Sequence, residues 1–174
     1  MAGVGSGWNN ARFDNFTVQP FTGPPPAPTP DPRLLNLALG RKAKASSQAS
    51  DGCSAGKAND GDSTGTRWCS AAGTGAGEWL EIDFGKKVAF DTTITREFRG
   101  FIIKYKIQYW DGSDWVDAYA GGGMKDSSPK VDAFPAVTAS KARRIITSTS
   151  GVYNSVSIWE FEVYNRSGVT PTQK

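Results

Sequence analysis

The sequence predicts an all-β protein of antiparallel strands, a β-sandwich or barrel. Three observations carry that prediction. Apolar and polar residues alternate with period two in several runs, turn-forming residues recur between those runs, and no stretch sustains an apolar period of 3.6. Leu80, Ile82 and Phe84 alternate with Glu81 and Asp83. Ile103, Tyr105, Ile107 and Tyr109 alternate with Lys104, Lys106 and Gln108. Asp111-Gly112 then starts a hairpin turn, and Trp115-Val116 lies on the return strand. Trp159, Phe161 and Val163 alternate with Glu160 and Glu162. Such one-sided alternation is the mark of half-buried antiparallel strands.

The chain divides at Gly23–Pro32, where six of ten residues are proline. Proline fixes φ and removes an amide donor, so residues 23–32 read as an extended linker. Residues 1–22 include the strand-like Ala11–Val18 and read as the remnant of an upstream β-sandwich. One strand cannot fold alone. The glycine-rich start has no targeting character. Residues 33–165 form the expected domain, and 166–174 a short polar tail expected to fray.

Composition narrows the function. The 174 residues carry 20 Lys and Arg against 17 Asp and Glu, no histidine and two cysteines. Without histidine there is no Ser-His-Asp or Cys-His nucleophile and no ordinary structural zinc site. A net charge of +3, spread along the chain, lacks the basic stripe of a nucleic-acid binder. A glycosidase needs two carboxylates across a cleft. The acids here fall in turns and on strand faces, which favours a binding module over an enzyme.

Five motifs in order carry a family resemblance. They are Asn36-Leu-Ala-Leu-Gly through Ser47, Lys57-Ala-Asn-Asp-Gly-Asp62 leading to Thr66-Arg-Trp68, Trp79-Leu-Glu-Ile-Asp-Phe-Gly85, Tyr105-Lys-Ile-Gln-Tyr-Trp-Asp-Gly112 with Trp115, and Ile158-Trp-Glu-Phe-Glu-Val-Tyr164. Together they resemble a discoidin domain, the coagulation-factor type C fold, called carbohydrate-binding module family 32 in bacterial enzymes. The stretch Thr92–Gly123 resembles discoidin domains of fucosidases, and Ala11–Val18 the end of a sandwich in galactocerebrosidase-type hydrolases. The resemblance implies an eight-stranded, antiparallel jelly-roll-like β-sandwich, a structural calcium and a ligand site among loops at one end. Ligands in the family include galactosides, N-acetylglucosamine-type sugars, fucosides, uronates, chitosan and, in animals, phospholipid and collagen. The implied protein is a monomeric, non-catalytic module of a larger secreted bacterial glycoside hydrolase, binding galactose- or fucose-containing glycans weakly, with an acidic polysaccharide as a further candidate that the arginines could pair. A discoidin domain for protein or anionic phospholipid is the alternative.

By resemblance, the Ca2+ ligands are the Lys57 and Trp159 carbonyls, the carboxylates of Asp60, Asp62 and Glu160, and Thr66. Hard cations take such oxygen sets. An extra residue before Thr66 leaves Thr64 in competition with it, and an Asp-Gly turn with solvated carboxylates is the bland alternative. Cys53 and Cys69 flank this loop. They are expected to form a disulfide, which would add about 3 kcal/mol, with two free buried thiols as the alternative. For the glycan, the resemblance points to Arg96, Glu97, Phe98 and Arg99, with Tyr153 and Asn154 in the facing loop. The family's galactose binders use a histidine where this chain has Ser70–Gly77, so simple galactose recognition is not expected. Trp68, Trp79 and Trp115 are expected in the core, with Trp110 and Trp159 partly exposed.

Overall fold

The computed structural model describes residues 35–122, 129–151 and 155–167. The expected remnant 1–22 and linker 23–32 lie outside these residues, as do Tyr153 and Asn154. Seven strands are present among the described residues: β1 (Lys42–Ala45), β2 (Trp68–Cys69), β3 (Trp79–Glu97), β4 (Ile102–Trp110), β5 (Trp115–Gly122), β6 (Lys130–Thr149) and β7 (Ser157–Tyr164). The resemblance implied eight. Two short 3₁₀ turns, Asp51–Cys53 and Ala55–Ala58, precede the metal-type loop.

All pairings are antiparallel, and the two long strands explain how a sandwich arises. The first part of β3, Trp79–Asp83, pairs with β1 and with Lys141–Ile145 of β6. Register then shifts between Asp83 and Val88, at Gly85, whose φ of +75° suits glycine. The second part of β3 pairs with the start of β6 and, from Thr92 onward, with β7. Thus β3 and β6 belong to two layers. One is β1-β3-β6-β4-β5, and the other is β6-β3-β7-β2.

The alternating residues meet between the layers. Trp68, Leu80, Ile82, Phe90, Ile107, Ile146, Ile158 and Phe161 have no exposed surface. Phe84, Phe90 and Phe134 form a chain of tilted and edge-on rings at 5.6 and 6.1 Å. The tryptophans separate more sharply than expected. Trp68 is core, but Trp79 and Trp115 are half-buried, which corrects their placement in the interior. Trp79 alternates with the buried Leu80 and so sits on the outer face. There Arg143 reaches over the Trp115 ring at 4.2 Å, and Trp115 packs edge-on against Trp110 at 5.6 Å. Arg143 donates to Gln108 and Gln108 to Asp117, which fixes this outer row.

The tail also departs from expectation. The backbone amides of Arg166 and Ser167 both donate to Asp91, at 2.9 and 2.8 Å, so these two residues are held.

Candidate functional site

One end of the sandwich gathers four loop segments: 46–54 after β1, 70–78 after β2, 98–101 between β3 and β4, and, between β6 and β7, 150–151 with 155–156. Backbone hydrogen bonds tie them together. Ala49 donates to Cys69, Ser70 to Val156, Phe98 to Ser157, and Ser150 to Phe101. Cys53 and Cys69 are joined as a disulfide, which fastens the first loop to β2. Within loop 70–78, Glu78 is buried and accepts the hydroxyls of Ser46 and, at 2.7 Å, Ser47.

The expected arginine group splits at this end. Arg99 stays at the loop tip, exposed, with its guanidinium 4.7 Å from the Phe98 ring centre. Arg96 turns away and pairs through Nε with Glu162 at 2.9 Å. It lines a cleft of about 250 Å³ beside Gly61 and Glu160, on the metal-loop side. Glu97 is fully buried and supports the 98–101 loop from within, out of reach of a glycan. Phe98 is half-buried and packs edge-on against Trp159 at 5.4 Å.

Arg67 is not among the site residues expected from the sequence. Its guanidinium lies 4.1 Å over Phe98 and 4.9 Å from Trp159, so it clamps both rings. A signal was available: Arg67 precedes the buried Trp68, and alternation sends its side chain to the other face. Arg67, Phe98, Arg99 and Trp159 therefore form one cation–aromatic cluster at the loop end. Rings for the apolar face of a sugar and planar donors for its hydroxyls suit shallow glycan recognition.

The metal-type loop contains two arrangements of carboxylates. Asp60 and Glu160 come together. Thr66 donates its hydroxyl to Asp60 at 2.7 Å, and the Gly61 amide donates to one oxygen of Glu160 at 2.8 Å. The other oxygen of Glu160 is buried without a hydrogen-bond partner. Burial pushes the Glu160 carboxyl up to about 7, and the nearby Asp60 and Glu162 carboxylates push the same way. Asp62 stands apart. One of its oxygens accepts the amides of Thr64 and Gly65 at 3.0 and 2.7 Å and the Thr64 hydroxyl at 3.2 Å. The Gly65 and Thr64 amides hold its carboxyl below the usual range. Thr66 thus faces Asp60, and Thr64 faces Asp62. Among the described residues no three acids, cysteines or histidines group around one point. A cation here would rely on two carboxylates and neutral oxygens.

Residues 42–161 match the model of the F5/8 type C domain. No curated protein sequence is detectably similar to the chain. Among solved structures, chitosan-binding module 1 of a chitosanase/glucanase from Paenibacillus sp. IK-5 is 32% identical, with a TM-score of 0.67 over 75% of this chain and 99% of that one. Chitosan-binding module 2 of that enzyme, solved with chitotriose, is 29% identical, with a TM-score of 0.67 over 75% and 100% of the two chains. The family 32 carbohydrate-binding module of NanJ from C. perfringens, solved with galactose, shares the fold at 21% identity, with a TM-score of 0.65 over 72% and 94%.

Proposed function

The chain belongs to the F5/8 type C domain family, and from that premise we propose that it is a non-catalytic carbohydrate-binding module of a secreted bacterial glycoside hydrolase. Its loop end takes a glucosamine-type oligosaccharide. The observation that carries this reading is the cluster of Arg67, Phe98, Arg99 and Trp159. Its two clamped rings are preorganised, so little side-chain freedom is lost on binding. Similarity of 29–32% to modules that bind chitosan, against 21% to one solved with galactose, ranks amino sugars above galactose- or fucose-containing glycans. The missing histidine supports the same order. Asp51, exposed in the loop after β1, supplies a carboxylate at this end for an amine-bearing sugar.

A structural Ca2+ is the second part of the proposal. Asp60, Glu160 and the Thr66 hydroxyl would hold it, with the carbonyls of Lys57 and Trp159. The buried, unpartnered oxygen of Glu160 beside a second carboxylate supports the fit. Bound there, the ion would neutralise these carboxylates and fasten the 57–66 loop to β7. That fastening would fix Arg67, just before β2, against Phe98.

The test is calorimetric titration of the chain with chitotriose, lactose, galactose and fucose. Chitotriose should bind with Kd of roughly 0.1–1 mM, as shallow single sites do, and remain uncleaved. Arg67→Ala and Arg99→Ala should each remove measurable binding, since a charge-assisted contact contributes about 1.5–3 kcal/mol. Wild-type affinity in both variants would place the site elsewhere. Binding to anionic vesicles with no sugar binding would replace this function with lipid recognition.

A further inference from the structure

Glu97 closes β3 and is fully buried. One of its oxygens accepts two backbone amides from the far side of the loop, Phe101 at 2.5 Å and Ile102 at 2.7 Å. Its other oxygen is buried without a hydrogen-bond partner. The charge it feels is that of Arg144, which also has no exposed surface. Arg144 is itself held in place: Nη1 donates to Thr95 at 2.7 Å and lies 3.5 Å from Asp132, and the guanidinium carbon sits 3.3 Å over the Tyr105 ring. The Tyr105 hydroxyl donates to Asp132. A buried chain of charge and hydrogen bonds thus runs from Asp132 to the base of one surface loop.

That loop is strained. Arg99 has φ of +72° and Gly100 φ of +69°. Arg99 is the one non-glycine residue with positive φ among the described residues. A side-chain-bearing residue enters the left-handed region only where its surroundings over-determine it. Glu97 provides that constraint, because a single carboxylate gripping the amides four and five residues ahead closes the loop into a ring. Phe98 and Arg99, the residues in that ring, are half of the cation–aromatic cluster.

We propose that Glu97 is a positioning residue of the glycan site: from inside the core it closes the 98–101 loop and so sets Phe98 and Arg99 against Arg67 and Trp159. The glycan half of this inference rests on the function proposed above. The loop half does not.

The experiment uses the full 174-residue chain, labelled with 15N, as wild type, Glu97→Gln and Glu97→Ala. Amide hydrogen exchange and chitotriose titration are read on each. Glutamine keeps a carbonyl oxygen for the two amides, and alanine keeps none. The Phe101 amide should be protected in wild type and in E97Q, and should lose about tenfold or more of that protection in E97A. Chitotriose affinity should stay within about threefold in E97Q and fall about tenfold or more in E97A, the cost of leaving buried amides unpaired. A rapidly exchanging Phe101 amide in wild type overturns the proposal. So does a folded E97A with wild-type protection and affinity, or an E97Q as impaired as E97A. If E97A does not fold, wild-type exchange and E97Q decide the matter. If the wild type binds no chitotriose, the functional reading falls while the exchange data still judge the loop.

Discussion

Glu97 and Glu160 are the same side chain in nearly the same predicament, and they resolve it differently. Both are buried, both keep one oxygen without a hydrogen-bond partner, and burial pushes both carboxyls up to about 7. Their neighbours differ in sign. Glu97 faces Arg144 and accepts two amides, all of which favour its charged form. Glu160 accepts one amide and faces the Asp60 and Glu162 carboxylates, which oppose it. The first site is completed by the protein's own cation. The second gathers negative charge at a surface loop, where a cation from solution can complete it. A buried acid therefore shows its role through its neighbours more than through its burial.

The largest effect that could break this contrast is loss of the internal cation. Arg144→Met would strand Glu97 and Asp132 in the core. Unfolding in denaturant should show a loss of about 3–5 kcal/mol. In the other region Lys57, half-exposed, lies 3.8 Å from Asp60, while Arg96 pairs with Glu162. Lys57→Met should change stability by under about 0.5 kcal/mol, as surface pairs do. Equal costs would erase the distinction.

Next in size is calcium itself. At a hundredfold excess over its Kd, a ligand confined to the folded state adds about 2.7 kcal/mol. For a domain of this size that corresponds to roughly 5–10 °C in Tm between calcium and EDTA. Glu160→Gln should abolish the difference, whereas Glu97→Gln should leave it intact. Identical melting curves in calcium and EDTA would remove the metal from the proposal.

A smaller effect separates the two acids by pH. A carboxyl raised to about 7 in the folded state binds its proton more tightly there than in the unfolded chain. It contributes stability below about pH 4.5 that is lost as pH rises through 7. In EDTA, Tm should therefore fall from pH 5 to pH 8. Calcium should remove the part due to Glu160 and leave that due to Glu97, a residual slope that Glu97→Gln cancels. A flat EDTA profile would contradict the burial argument for both. The smallest expected effect is that of Asp62→Asn. Its exposed carboxylate is occupied by its own turn, so in EDTA the change should be within about 0.5 kcal/mol. A larger loss seen only with calcium would recruit Asp62 as a ligand.

The strand pattern was legible in the sequence because period-two alternation and burial are the same physical fact seen twice. Leu80, Ile82, Ile107 and Phe161 sit where alternation put them. The tryptophans show the limit. Trp79 and Trp115 carry as much apolar surface as Trp68, yet Arg143 and Trp110 satisfy them on the outer face. Hydrophobicity alone does not name the face. The Cys53–Cys69 pairing was foreseen. The double membership of β3 and β6 was not, since it depends on a register shift with no local sequence mark beyond Gly85. At the site, Arg99 and Phe98 were visible as loop residues, but Arg96 and Arg99, three apart, could not be told apart by spacing. Their separation follows from the bulge where β3 leaves β7, between Arg96 and Glu97. The face of Arg67 was readable from its neighbour Trp68, but its partners Phe98 and Trp159 were not, being distant in the chain.

The chain's entry and exit bear on how the module carries load. The Leu37 amide donates to Val163 and the Asn36 side chain accepts from it, while Asp91 holds Arg166 and Ser167. Residues 36–37 and 166–167 therefore lie together at one end of β7, and the loop segments of the candidate site crown the other. The eight residues of β7 span roughly 26 Å between them, at ~3.3 Å per residue. Tension between a glycan gripped at the loops and a tether on either flank would run lengthwise along β7 and its partner β3. Their ladder would be loaded in shear, with its rungs sharing the force, and would not be peeled open one rung at a time.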